Sequence, residues 1–244
     1  MTEARRSERV TGSSRDLCWN CQSEVGGEYF CPQCVKVQPA SVWSDYFSVF
    51  SLPRKLGLDL SELERRFYDW SRKFHPDFFQ QATPEEQAIS LENSALVNTA
   101  YRALRDPIAR MEYLIGLEEG ALKGIPPKAP VDLLEEILDL QEALEKAKAS
   151  PLDAETRKRL AGERERLTDR RKAEEARLLE VSGGWDVLVD GSGRVPRGQD
   201  SARLRLLDRM KGILAARAYL TTVINDLSEA LGEDSHTHVS HRRH

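Results

Sequence analysis

The chain has 244 residues and a formal net charge of −4 at pH 7, with 31% charged and 7% aromatic residues. This length suits one large domain or two small ones, and the few aromatic residues predict small cores and a helical architecture. The acidic balance argues against wholesale nucleic-acid binding. No segment reaches the roughly 18 consecutive apolar residues that a membrane span needs.

The N-terminal segment, residues 1–16, lacks the apolar run of a secretory signal. Its arginines, serines and threonines faintly resemble a transit peptide, but Glu3 and Glu8 argue against that interpretation. We therefore expect residues 1–16 to be disordered and the protein to be cytoplasmic.

All four cysteines lie in two Cys-x-x-Cys pairs, Cys18 with Cys21 and Cys31 with Cys34. Each pair can form a tight turn that directs two sulfurs at one ion, and four thiolates satisfy zinc with no open position. Gly26-Gly27 is a turn signal between the pairs, and residues 28–30 are expected to return as a short strand. The pattern predicts a structural zinc hairpin over residues 17–40, with iron in a rubredoxin-like site as the alternative metal.

Two other uses of paired cysteines fit this sequence less well. Disulfides are rare in cytosolic proteins. A redox Cys-x-x-Cys pair usually accompanies a βαβ unit, which the sequence lacks. A closed metal site needs no catalytic role, and it contributes folding energy to a segment too small to fold alone.

A helical hairpin is predicted around the tripeptide His75-Pro76-Asp77. The apolar face of its first helix recurs at intervals of three and four, at Leu60, Leu63, Phe67, Trp70 and Phe74. Asp59 can cap the start of this helix, and Pro76 ends it because proline disfavours the α conformation in the preceding residue. A short helix at Tyr46, Phe47 and Phe50 is expected to precede it and pack on the hairpin.

The second hairpin helix is expected from about Pro84 to Arg105, with Thr83 as its cap and Glu86 completing a capping box. Asp106 and Pro107 mark the start of a third helix. These boundaries place the tripeptide at an exposed hairpin tip, a position that favours contact residues over packing residues.

The outer face of the first hairpin helix is basic, through Arg65, Arg66, Arg72 and Lys73. Taken alone, such a cluster is usually a solvated helix face. Beside an exposed tip it predicts docking to an acidic partner, because complementary charge speeds encounter in a salt-dependent way.

The C-terminal half is predicted to be an antiparallel three-helix bundle over residues 131–232. Glycine and prolines mark residues 119–130 as a linker. Helices are expected at about residues 131–148, 153–181 and 201–231, and the five glycines in residues 182–200 predict a mobile loop. The tail, residues 233–244, holds four of the five histidines and is expected to be disordered.

The chain resembles a J-domain protein, and within that group the HscB type of iron-sulfur co-chaperone. The resemblance rests on Asp45-Tyr46-Phe47, Leu52-Pro53, Phe74-His75-Pro76-Asp77-Phe78-Phe79, Val97-Asn98-Thr99-Ala100-Tyr101, Leu104-Arg105-Asp106-Pro107 and Glu112-Tyr113-Leu114. It is close over residues 44–117, so residues 41–118 are assigned to a J-domain. Some HscB-like proteins carry a similar leading pair of cysteine knuckles.

The resemblance implies specific partners and site residues. His75, Pro76 and Asp77 would trigger ATP hydrolysis in a DnaK- or HscA-type chaperone, with Arg65, Arg66, Arg72 and Lys73 as docking charges. In the family the bundle binds the iron-sulfur scaffold protein IscU. Alignment with the family pattern selects Leu134, Leu138, Asp139, Glu142 and Leu206 for that contact. Ordinary bundle core is the alternative for each leucine.

The sequence thus predicts a mainly α protein with a four-cysteine zinc-knuckle hairpin, a J-domain helical hairpin and a C-terminal antiparallel three-helix bundle. Its predicted role is that of a non-enzymatic co-chaperone that delivers the scaffold during iron-sulfur cluster assembly. General co-chaperone work on other clients and a zinc-ribbon nucleic-acid-binding module are alternatives. An enzyme or electron carrier is opposed by the lack of a nucleophile set. The sequence does not decide whether the protein forms a weak homodimer.

Overall fold

The computed structural model describes residues 17–40, 45–120, 125, 128, 140–141, 144–145, 152–189, 195–196 and 198–232. The expectations for residues 1–16, for most of the predicted linker and first bundle helix, and for residues 233–244 lie outside these ranges. The chain divides into two compact units. The first combines the residues up to Leu52 with Asp59–Arg105, and the second combines Pro53–Leu58 with the residues from Asp106 onward.

The described residues are mainly helical. The helices are α1 (Tyr46–Val49), α2 (Leu60–Lys73), a 3₁₀ helix (Pro76–Phe79), α3 (Pro84–Arg105), α4 (Pro107–Glu119), α5 (Ala154–Leu188) and α6 (Asp200–Ala230). Residues 140–141 and 144–145 are also helical. Instead of the short strand expected at residues 28–30, this part of the chain has isolated β-bridges that join Leu17 to Glu24 and Phe30 to Val37.

Side-chain caps begin the helices where the sequence predicts them. The Thr83 backbone N–H donates to Glu86 Oε2, and the Glu86 N–H donates to Thr83 Oγ1, both at 3.3 Å. This reciprocal pair is the predicted capping box. Aspartate side chains cap four further helices, at Asp45 for α1, Asp59 for α2, Asp106 for α4 and Asp153 for α5.

The first unit is built on the hairpin of α2 and α3, with α1 packed against α3. Its core is formed by fully buried side chains, Phe47, Phe50, Leu63, Phe74, Ala100 and Leu104. Burial of a large apolar side chain stabilises the fold by about 1.5–3 kcal/mol. Leu60, predicted on the apolar face of α2, is instead 49% exposed at the first residue of the helix.

The second unit contains the predicted bundle. Leu140 and Leu144 are buried against leucines and β-branched residues of α5 and α6. The long helices are antiparallel, since the Arg157 guanidinium near the start of α5 donates to the Leu231 carbonyl at 2.9 Å, just beyond the end of α6. Within the same unit, α4 is joined to α6 by the Arg203–Glu118 ion pair at 3.0 Å.

Helix α5 corrects the prediction of a loop at residues 182–200, because it continues through Gly183-Gly184 to Leu188. Trp185 is fully buried, and its Nε1 donates to the Arg54 carbonyl at 3.0 Å. The Asp186 carboxylate accepts the backbone N–H groups of Leu56 and Gly57, each at 2.6 Å. These tertiary contacts outweigh the helix penalty of about 1 kcal/mol for each glycine.

We expect Asp186→Ala to destabilise the second unit by about 1.5–3 kcal/mol, because it removes two hydrogen bonds to a charged acceptor. Asp169→Ala is the matched control on the same helix. Its carboxylate contacts Lys172 at an exposed ion pair, and such pairs contribute about 0–1 kcal/mol. Urea unfolding followed by circular dichroism measures both changes. Equal effects of the two substitutions would contradict the anchoring role of Asp186.

Candidate functional site

The His75-Pro76-Asp77 tip is exposed between α2 and α3, as predicted. The Asp77 backbone N–H donates to His75 Nδ1 at 3.3 Å, and the Phe78 N–H donates to the His75 carbonyl at 3.0 Å. The side chains of His75 and Asp77 are 54% and 71% exposed. Hydrogen bonds between residues two or three positions apart therefore fix the backbone of the tip, while its polar side chains remain exposed to solvent.

The tip is anchored from behind by Phe74, the residue that ends α2. The Phe74 ring is fully buried. Its carbonyl accepts a hydrogen bond from the buried Ser90 hydroxyl of α3 at 2.8 Å. This bond ties the end of α2 to α3 directly before His75. Sequence reasoning did not single out Ser90, since a serine inside a helix gives no signal of its distant partner.

Phe78 is a second residue that sequence reasoning did not assign. Its side chain is 72% exposed, and its ring lies edge-on to the His75 ring at 6.2 Å between centroids. An exposed phenylalanine beside exposed polar groups gives the tip an apolar contact area. The unusual exposure of so large an apolar group is visible only once the fold is known.

The four predicted docking residues on α2 differ in their surroundings. Arg65 pairs with Glu62 at 2.7 Å and Asp69 at 3.4 Å. Arg66 is 29% exposed and contacts Glu62 at 2.6 Å. Its guanidinium also donates to the carbonyls of Phe50 and Ser51, which joins α2 to the chain after α1.

Arg72 and Lys73, next to the tip, are exposed. The Lys73 ammonium lies 4.5 Å from the centroid of the Trp70 ring. The positive charges nearest the tip are therefore accessible, as Arg65 also is, whereas Arg66 is engaged within the first unit.

The four cysteines converge as predicted. Their sulfur atoms all lie within 4.8 Å of one another. The Cys18–Cys34 and Cys21–Cys31 Sγ separations are both 3.6 Å. A tetrahedral zinc ion with Zn–S bonds of about 2.3 Å requires sulfur separations of about 3.8 Å. None of the four forms a disulfide, so the donor set fits a four-thiolate metal ion.

Both cysteine pairs form the same turn. The Gln22 N–H donates to the Cys18 carbonyl at 3.0 Å, and the Val35 N–H donates to the Cys31 carbonyl at 2.9 Å. Gln22 and Val35 each follow the second cysteine of a pair and have φ of 62° and 61°. A left-handed conformation is strained at a β-branched residue. The turn at Val35 therefore forms despite an unfavourable backbone conformation.

Donors around the Cys18 and Cys31 sulfurs favour the thiolate form that binds metals. The backbone N–H groups of Asn20 and Cys21 point at the Cys18 sulfur at 3.4 and 3.5 Å. The Ser23 hydroxyl lies 3.3 Å from the Cys31 sulfur. That hydrogen bond, together with backbone N–H groups, lowers the pKa of the Cys31 thiol to about 6. A thiolate is the form that coordinates a metal ion.

Most of the predicted scaffold-binding residues cannot be located. Leu134, Leu138, Asp139 and Glu142 lie outside the described residues. Leu206 is half-buried on α6, facing Gly184 of α5. It lines an open groove of about 640 Å³ whose other contributors include Val187, Leu188 and Arg209.

We expect Cys31→Ser to reduce zinc affinity by more than about 100-fold, because it removes one of four thiolates from a closed site. Ser23→Ala, which removes a hydroxyl beside the Cys21 and Cys31 sulfurs but no ligand, should reduce zinc affinity by about tenfold. Gln33→Ala changes an exposed side chain between two ligands and serves as the control. Competition with a chromophoric chelator measures all three. Unchanged affinity in Cys31→Ser would show that the four sulfurs do not share one ion.

Comparisons with known proteins place this arrangement in a family. A scan against protein-family models finds no match. The mouse iron-sulfur cluster co-chaperone protein HscB is 33% identical over 157 residues, which cover 62% of this chain and 67% of the mouse protein. The human protein of the same name is 32% identical over 169 residues, covering 65% and 69%.

A solved structure shares the fold. The crystal structure of human co-chaperone protein HscB aligns with a TM-score of 0.57 and 23% identity, covering 88% of this chain and 98% of that one. Among the helices of the described ranges, none is both long and apolar enough to cross a bilayer. From the sequence identity to the mouse and human proteins over these lengths, the chain belongs to the family of iron-sulfur cluster co-chaperone proteins HscB.

Proposed function

We propose that this protein is a J-domain co-chaperone that stimulates ATP hydrolysis by a DnaK- or HscA-type chaperone. On this proposal it also delivers an IscU-like scaffold protein during iron-sulfur cluster assembly. The observation that carries the proposal is the exposed His75-Pro76-Asp77 tip on a rigid helical hairpin. The protein would act by binding, and the chemistry of hydrolysis would belong to the chaperone.

The tip is suited to rapid, specific docking. Pro76 and the 3₁₀ helix restrict its backbone before binding, so less conformational entropy is lost when a partner engages it. The exposed charges of Arg72 and Lys73 can steer an acidic surface toward the tip, an effect that weakens as salt increases. Arg65 and Arg66 complete the proposed docking face, although each is paired with Glu62 in the free protein.

The packing of the four-cysteine element opposes the nucleic-acid alternative. Single-stranded nucleic acids are commonly bound by exposed aromatic rings on which bases stack. Tyr29 and Phe30 are the aromatic residues between the cysteine pairs, and their rings pack on Trp70 and Phe74. These rings are therefore engaged within the first unit. We propose that the bound ion is structural zinc and that the free thiols belong to a reducing, cytoplasmic environment.

We expect His75→Gln to reduce chaperone stimulation by at least about tenfold in single-turnover ATP hydrolysis, because it removes an exposed imidazole from the proposed contact. Gln81→Ala is the control, since Gln81 is exposed shortly after the 3₁₀ helix. Both variants should keep the circular dichroism spectrum of the parent. Equal stimulation by His75→Gln and the parent protein would rule out the assigned mechanism.

The proposed scaffold contact uses the bundle in the second unit, with Leu134, Leu138, Asp139, Glu142 and Leu206 as its residues. Of these, the structure describes Leu206. The support for it is its half-buried position beside an apolar groove rimmed by Arg205 and Arg209. An apolar surface with a charged rim is the usual composition of a protein-binding site.

We expect Leu206→Ala to weaken binding of a purified iron-sulfur scaffold by roughly tenfold, the size typical of a contact residue near the centre of an interface. Leu204→Ala is the matched control, because Leu204 lies on the same helix and is 56% exposed. Isothermal titration calorimetry measures both affinities. The prediction concerns scaffold affinity alone and does not require any change in ATPase stimulation. Parent-like affinity in Leu206→Ala would remove this residue from the interface.

A further inference from the structure

The four-cysteine element is packed against the helix that leads into the tip. The Tyr29 ring lies edge-on to Trp70 and Phe74, with centroid separations of 4.8 and 5.3 Å. The Phe30 ring stacks on Phe74 at 5.9 Å, with an interplanar angle of 14°. Phe74 directly precedes His75. The segment between the two cysteine pairs therefore touches the end of α2, at the residue directly before the tip.

A second contact reaches the start of α3, on the other side of the tip along the chain. The Lys36 ammonium donates to the Glu86 carboxylate at 2.7 Å. Glu86 is 7% exposed and also closes the capping box with Thr83 at the start of α3. The hydrogen bond from Lys36 lowers the pKa of the Glu86 carboxyl, so this group stays ionised. Lys36, two residues after the second cysteine pair, thus supports the start of α3.

A third contact fixes the chain that leaves the element. Asn93 of α3 is buried. Its Nδ2 donates to the Gln38 carbonyl at 2.8 Å, and its Oδ1 accepts the Ala40 N–H at 2.8 Å. The Gln38 side chain also donates to the Cys18 sulfur at 3.3 Å. One continuous set of hydrogen bonds therefore runs from the cysteine cluster to α3.

We infer that the four-cysteine element is a positioning element for the His75-Pro76-Asp77 tip. It contacts Phe74, the residue before the tip, through Phe30, and it contacts Glu86 at the start of α3 through Lys36. A metal ion bound by the four cysteines keeps Phe30 and Lys36 in place, so metal occupancy sets the backbone geometry that the chaperone meets. The consequence for ATP hydrolysis rests on the proposed function, whereas the consequence for the tip backbone does not.

The positioning role differs from simple stabilisation in where its effect appears. If the element only stabilised itself, its loss would leave the tip amides as protected as in the parent protein. If it positions the tip, its loss will increase local opening at residues 75–83 while the amides of α5 and α6 keep their protection. Amide hydrogen exchange of the full-length protein distinguishes the two.

The test compares Phe30→Ala with Val35→Ala in zinc-loaded, full-length protein. Val35 lies in the same element and is 75% exposed, so its truncation removes no contact with the hairpin. We expect Phe30→Ala to retain zinc but to increase exchange of the Asp77 and Phe78 amides by roughly fivefold, the size of effect expected for loss of a packed aromatic pair. Phe30→Tyr, which keeps the ring, should exchange like the parent.

Two further arms extend the test. Lys36→Ala removes the contact with Glu86 without altering the aromatic packing, so it keeps the test decisive if Phe30→Ala does not fold. It should also speed exchange at residues 75–83. In ATPase assays, the concentration of co-chaperone that gives half-maximal stimulation should rise roughly fivefold in either variant, because a less ordered tip loses more conformational entropy on binding.

Each outcome decides one question. Parent-like exchange at residues 75–83 in both Phe30→Ala and Lys36→Ala would overturn the positioning role. Faster exchange with unchanged stimulation would overturn its importance for the chaperone. If the parent protein stimulates no chaperone, the proposed function fails, and the exchange measurements alone then decide whether the element positions the tip.

Discussion

The exposed tip depends on the burial of a single side chain, that of Phe74. Its ring is fully buried, which commits the end of α2 to the core and makes the next residues turn outward. Pro76 then prevents the helix from continuing. The Ser90 hydroxyl donates a hydrogen bond to the Phe74 carbonyl. The backbone carbonyl at the end of the helix therefore has a partner. A buried anchor followed immediately by exposed polar groups is a simple way to present a rigid contact surface.

The sequence predicted those features that depend on local chemistry. Caps at Asp59, Thr83 and Asp106 placed the starts of α2, α3 and α4, because capping hydrogen bonds form between residues two or three positions apart. The convergence of four cysteines followed from their spacing and from the ligand preference of thiolates. The exposed position of His75-Pro76-Asp77 followed from the boundaries of the two helices.

Features that depend on distant residues were missed or predicted incorrectly. Helix α5 continues past Gly183-Gly184 because Asp186 binds the chain 130 residues earlier, at Leu56. The two glycines therefore lie inside a helix, and the predicted loop at this position is wrong. The Lys36–Glu86 pair joins residues 50 positions apart, and neither residue carries a local signal of the other. A propensity describes a residue and its neighbours, whereas these contacts depend on how the elements pack.

Asn93 has a consequence for how this chain can vary. Its amide forms two hydrogen bonds to the backbone of residues 38–40, one through each end. The amide thus pairs with the chain much as an adjacent strand would, and it recognises one register of that segment. Inserting or deleting one residue between Cys34 and Gln38 would bring a different carbonyl and N–H opposite Asn93. The length of this connection is therefore set by α3, even though no metal ligand lies within it.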